Sequence, residues 1–128
     1  MSNEELDRIL AASDPKYVKL ELDIAHYFQG GGDPVKAIQK YSDRLVFMHL
    51  KDVEKLSGDG TPGNPSYRFV ELGRGQVDIQ AVMHALDKAG FNGWAVVELD
   101  RVPDPAGTPK QSAIINKNYI EKTLGRKV

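Results

Sequence analysis

A chain of 128 residues, 41% hydrophobic and 27% charged, suits one ordinary domain and has the makeup of a soluble globular protein. Its 17 Lys and Arg against 18 Asp and Glu leave a net charge of -1, which excludes a general electrostatic pull toward nucleic acid or an anionic membrane. There is no cysteine, so disulfides and thiolate chemistry are excluded, and any metal must be held by nitrogen and oxygen.

The opening MSNEELDRIL has neither the basic nor the apolar region of a signal peptide, and no apolar run approaches the ~20 residues of a membrane span. The cytoplasm is therefore the expected compartment. Ser2 and Glu5 form a capping-box pattern that predicts a short helix with Leu6, Ile9 and Leu10 on one side. From Tyr17 to Ile24 apolar and polar residues alternate, which predicts a strand. Gly30, Gly31 and Gly32 make a turn. Asp33 and Pro34 then serve as N-cap and first residue of a helix carrying Val35, Ile38 and Tyr41.

Leu45 to Leu50 is a nearly continuous apolar run broken by His49, as in strands buried on both faces. Residues 54–75, rich in Gly, Pro and Ser, predict a long loop. Asp78 caps a helix that buries Ile79, Val82, Met83 and Leu86 and ends near Gly90. Trp94 to Leu99 is the third strand. Thr108, Pro109 and Gln111 open a last helix expected to bury Ile114, Ile115, Tyr119 and Ile120 and to stop at Gly125.

Four helices alternating with three strands predict an α/β fold with parallel strands and right-handed crossovers. A closed (β/α)₈ barrel needs eight strands and typically ~250 residues. The chain therefore reads as about half a barrel or as a small open sheet, and its opening helix would ordinarily follow an earlier strand. Each strand carries a metal-competent side chain near its C-terminal end: Asp23, His49 and Glu98. Ligands bind at that end in parallel α/β folds. Alternation sends these three to one face, with Leu45, Phe47, Trp94 and Val96, while Leu20, Leu22, Val46, Met48, Leu50, Ala95, Val97 and Leu99 point to the helices. Singly, each carboxylate is more often a loop or helix-cap group, and the histidine more often a satisfied core residue. Three in register are harder to bury without a shared partner.

Four stretches carry a family resemblance. LELDIAHYFQGGGDP, DRLVFMHLKDV, ELGRGQVDIQAVMHALDKAGFNGWAVVELD and TPKQSAIINKNYIEKTLG together resemble, in order and spacing, the sugar phosphate isomerase/epimerase superfamily, a xylose-isomerase-like TIM barrel. They are especially similar to inosose dehydratases around His49-Leu50-Lys51-Asp52-Val53 and Gly93-Trp94. The resemblance implies that residues 1–128 are the C-terminal portion of one (β/α)₈ barrel. It also implies that Asp23, His49 and Glu98 bind one divalent metal (Mn²⁺, Mg²⁺, Co²⁺ or Zn²⁺).

By the same resemblance His26 contacts a substrate hydroxyl, and Glu98 moves a carbon-bound proton through a metal-stabilised enediolate. Lys51 steadies that anion or assists hydroxide departure. Arg68, Arg74 and Arg101 are candidates for a phosphate or carboxylate on the substrate. Surface roles for His26, Lys51 and these arginines are the competing readings, and mid-helix His84 carries no assigned role. The implied partner is a small sugar, sugar phosphate or inosose. The family's fourth ligand, a glutamate from an earlier strand, has no match here, so two-base proton transfer is not expected of this chain alone. That leaves a dehydratase-like lyase and a non-catalytic, oligomerising half-barrel as alternatives to an isomerase or epimerase. A homo-oligomer, domain-swapped or not, would cover the apolar inner face and open strand edges. The superfamily's apurinic endonuclease branch places Asp-Arg-His before the Gly-x-Gly turn, whereas here Tyr67-Arg68-Phe69 stands there. A multi-zinc nuclease site is thereby excluded.

Overall fold

Leu22, Ile24, Ile38, Met48, Leu50 and Val82, none more than 3% exposed, tie the sheet to its covering helices. Each such side chain contributes about 1.5–3 kcal/mol by leaving water. The computed structural model describes residues 3–128. The elements run α1 (Asn3–Ala11), β1 (Leu20–Asp23), α2 (Ile24–Gln29), α3 (Pro34–Tyr41), β2 (Leu45–Leu50), β3 (Asp52–Lys55), β4 (Tyr67–Val70), α4 (Ile79–Lys88), β5 (Trp94–Val97) and α5 (Pro109–Lys122). Strands β1, β2 and β5 form a parallel sheet with β2 in the centre. The α/β class and the three parallel strands are as the sequence predicts.

The predicted caps have physical counterparts. Asp33 accepts the amides of Val35 and Lys36 at 3.0 and 3.2 Å, and Asp78 accepts that of Ala81 at 2.9 Å. Thr108 and Gln111 exchange both bonds of a capping box. Ser2, the expected cap of α1, lies outside the described residues. At the other end of that helix, buried Arg44 reaches the Leu10 and Val18 carbonyls and the Ser13 hydroxyl, which fixes the path from α1 into β1.

Among the described residues there are five helices instead of four. The extra one is α2, because Asp23 ends its strand by capping a helix, and Ile24 is buried as a helical residue. The expected strand from Tyr17 to Ile24 accordingly shrinks to Leu20–Asp23, and Tyr17 and Val18 are exposed. The expected loop over residues 54–75 contains most of an antiparallel hairpin, β3 with β4, in which the Arg68 guanidinium pairs with Glu54 across the strands. Four-residue strands around a Gly- and Pro-rich turn give too little alternation to read.

Facing was misassigned in three places. The β1–β2 register passes from Leu20↔Leu45 to Glu21↔Phe47, so Val46 is skipped as in a bulge. Leu45 is consequently buried and Val46 exposed, the reverse of expectation. In α5 the buried stripe is Ser112, Asn116 and Ile120 at four-residue spacing, with Ile114 and Ile115 exposed. Polar atoms set that stripe: Asn116 accepts the Leu72 amide at 2.8 Å, and Ser112 donates to Glu71 at 2.6 Å. In α1, Leu6 and Leu10 are buried while Ile9 faces outward.

Candidate metal centre

Asp23 is the last residue of β1 and the N-cap of α2. One carboxylate oxygen, Oδ1, accepts the amides of Ala25 and His26 at 3.0 and 2.9 Å. That fixes the side chain and leaves Oδ2 to face the neighbouring strand. Parallel register sets Asp23 beside His49 and His49 beside Val96. Glu98 follows β5 and donates its amide to the Leu50 carbonyl at 3.1 Å, which extends that pairing past the strand's end.

Asp23, His49 and Glu98 each offer one donor atom, and these atoms all lie within 4.8 Å of one another. His49 Nδ1 is 3.2 Å from Glu98 Oε2 and 3.8 Å from Asp23 Oδ2. One imidazole and two carboxylates match the donor preferences of a divalent ion such as Mn²⁺, Mg²⁺, Co²⁺ or Zn²⁺. The residues present fit such an ion, and all three are partly shielded from water.

Lys51 supplies the positive charge at this cluster. Its side chain is 2% exposed, and Nζ stands 2.9 Å from Glu98 Oε2, 3.2 Å from Asp23 Oδ2 and 3.1 Å from Asp100 Oδ2. Burial opposes its charge, but bonds to Glu98 and Asp100 and the field of Asp23 prevail and hold its pKa above the ordinary lysine value. The Phe69 ring lies 4.7 Å from Nζ on one side and packs edge-on against His26 at 5.1 Å on the other. The solvated strand-end reading of Lys51 is therefore wrong. The residue continues the His49 face two positions on, just past the end of β2.

His26 sits in α2 with its ring half exposed and Nε2 3.8 Å from Asp23 Oδ2. Among the described residues, none of the three arginines pairs with Asp23, His49 or Glu98, although Arg68 and Arg101 share a groove with Asp100 and Phe69, which touch Lys51. Arg68 holds Glu54 and the Pro103 carbonyl. Arg74 bridges Glu71 at 2.5 Å and Asp104 at 2.9 Å, bonds that raise its pKa. Arg101 is exposed and, with Tyr67, Phe69, Asp100 and Pro103, lines a groove of about 440 Å³ beside Lys51. His84 is exposed on α4.

Sequence reasoning missed Asp100, Glu21 and Asp52. Asp100 follows Glu98 at a spacing of two, the same interval that separates Lys51 from His49. That repeated interval is the signal that was available. Glu21 reaches His49 Nδ1 at 3.3 Å from the exposed side. Asp52, fully buried, accepts four backbone amides: Val53 at 2.8, Val77 at 3.1, and Gly73 and Gly75 at 2.9 Å each. It ties the turn after β4 to the start of β3, beside Lys51. Gly75 has no room for a Cβ against this carboxylate.

Residues 1–118 match the family model described as "Xylose isomerase-like TIM barrel". The chain is 33% identical to an inosose dehydratase of Bacillus licheniformis, across 96% of this chain and 43% of that protein. It is 30% identical to an inosose dehydratase of Lacticaseibacillus casei, across 94% and 43%. The crystal structure of a sugar phosphate isomerase/epimerase from Parabacteroides distasonis superposes with a TM-score of 0.73 at 25% identity, covering 91% of this chain and 36% of that one. The chain thus spans less than half the length of these relatives. Among the described residues, no helix is long and apolar enough to cross a membrane.

Proposed function

The chain belongs to the xylose isomerase-like TIM barrel family, and on that premise we propose that it carries the metal-binding part of a sugar or cyclitol enzyme that moves a proton next to a carbonyl. The observation that carries this is the convergence of Asp23, His49 and Glu98 on one point beside a buried, charged Lys51. Asp23 Oδ2, His49 Nδ1 and Glu98 Oε2 would hold one divalent cation, which supplies Lewis-acid polarisation of the substrate's carbonyl and hydroxyl oxygens. Three protein donors leave room for those oxygens.

Glu98 takes the carbon-bound proton on its other carboxylate oxygen. Lys51 keeps its own proton and steadies the negative charge that develops on the substrate oxygen. His26, at the open side of the cluster, contacts a substrate hydroxyl. Phe69 excludes water from one side of Lys51.

Two outcomes share this first step. In an isomerase or epimerase the proton returns to carbon. In a dehydratase the C–O bond on the next carbon breaks as the C=C bond forms, and the hydroxide leaves as water by taking the proton that Glu98 removed from carbon. The second outcome is favoured by the identity to inosose dehydratases over nearly the whole chain. The substrate class is then a polyhydroxylated cyclic ketone. A non-catalytic, self-associating form of the chain, domain-swapped or not, is supported separately by exposed Trp94, Val46 and Val96 on a sheet whose edge strands β1 and β5, among the described residues, each pair only with β2.

Solvent exchange tests the chemistry, because it needs one base and no completed turnover. Incubating the chain with Mn²⁺ and an inosose in D₂O is expected to place deuterium on the carbon next to the carbonyl, and Glu98→Gln is expected to stop it. Incorporation no faster than without protein, for inososes and ketoses alike, would refute the chemical step.

A further inference from the structure

The three carboxylates around Lys51 are not equivalent. Asp23 Oδ2 and Glu98 Oε2 contact the Lys51 ammonium at 3.2 and 2.9 Å, and the same two oxygens face His49 Nδ1 at 3.8 and 3.2 Å. A cation held by the three donors and the ammonium therefore draw on the same oxygens. Asp100 stands apart. It gives both oxygens to Lys51, at 3.2 and 3.1 Å, and among the described residues it belongs to no donor cluster with His49.

Lys51 has almost no access to water, so it cannot be compensated by solvent when a second cation arrives. The Phe69 face supplies only a weak attraction. Of the three carboxylates paired with Nζ, Asp100 is the one whose contacting oxygens lie outside the proposed donor set. Its own side chain is 42% exposed, so it can follow small shifts of Lys51.

We infer that Asp100 is a positioning residue that draws Lys51 off Asp23 and Glu98, so that a divalent cation and the lysine ammonium occupy the site together. The inference rests on the metal-site reading above. With Asp100 in place Lys51 is an aid to the reaction. Without it, Lys51 is a competitor of the metal.

Mn²⁺ titrations of wild type, Asp100→Asn, Lys51→Met and the double variant test this, with His49→Ala as reference and thermal melts as a check on folding. Asp100→Asn is expected to weaken Mn²⁺ about tenfold or more, the usual scale for an outer partner of a metal site. In the Lys51→Met background the same change is expected to matter by no more than about twofold, the margin within which uncoupled changes add. Asp100→Glu is expected to recover most of the affinity. An equal loss in both backgrounds would mean that Asp100 acts directly by its charge, and would overturn the inference, as would no loss at all. If wild type and His49→Ala bind Mn²⁺ alike, the metal site itself is wrong and the inference falls with it. If only those two differ while Asp100→Asn matches wild type, the site stands and the inference alone fails.

Discussion

Replacing Asp52 with alanine isolates one buried carboxylate that organises backbone and not substrate. Oδ1 accepts the Val53 and Val77 amides, and Oδ2 accepts those of Gly73 and Gly75. Val53 and Val77 are buried, so their N–H groups have no water to turn to, whereas the two glycine amides are partly accessible. A stranded buried donor costs about 1–3 kcal/mol, so two predict a loss of about 2–6 kcal/mol. That is a large part of the roughly 5–15 kcal/mol that holds a domain together. Asparagine should fall between, since its carbonyl serves one pair of amides while its NH₂ faces the other. Urea unfolding followed by circular dichroism reads the effect as a lower midpoint at unchanged slope. Amide exchange should quicken first at Gly73, Gly75 and Val77. A midpoint shift for Asp52→Ala worth less than about 0.5 kcal/mol, the range of ordinary surface changes, would refute the reasoning.

Three further outcomes follow from the packing and the charges. Gly73 has φ +83°, and a Cβ there would run into the Tyr119 ring, so Gly73→Ala should cost about 1–3 kcal/mol or more in the same urea assay. Glu71 is buried, which raises its pKa, but the Ser112 hydroxyl, the backbone and Arg74 outweigh this and hold it below the ordinary 4.5. A depressed pKa means stability that is present above 4.5 and lost as pH falls through the folded value; Ser112→Ala should therefore move acid unfolding to higher pH, and an unmoved midpoint would contradict the account. Trp94, 75% exposed on β5, should drive self-association at tens of micromolar; sedimentation should show it, and Trp94→Lys should weaken it.

Much of the candidate site's geometry was legible because a strand's period of two is rigid. Once three apolar runs are recognised, the side chains at their C-terminal ends are fixed to one face, and Asp23, His49 and Glu98 do converge. Helix starts were equally readable, since Asp33, Asp78 and Thr108 cap by local bonds that need no tertiary context. What failed depended on partners far away in sequence. Asn116 and Ser112 outrank Ile114 and Ile115 for the buried face of α5 because Leu72 and Glu71 need their bonds. Val46 faces outward because β1 and β2 slip by a residue, a property of a strand pair and not of either strand. Lys51 looked like a surface residue because its compensation is assembled from β1 and the segment after β5. The β3–β4 hairpin was hidden by its Gly- and Pro-rich turn.

Asp23, His49 and Glu98 are proposed to form one cation site. Mn²⁺ binding, followed by electron paramagnetic resonance on the wild-type chain and on His49→Ala, tests it most directly. One bound ion per chain in wild type, with affinity at least about tenfold weaker in the variant, is the result the geometry predicts. Equal affinity in the two proteins would contradict it.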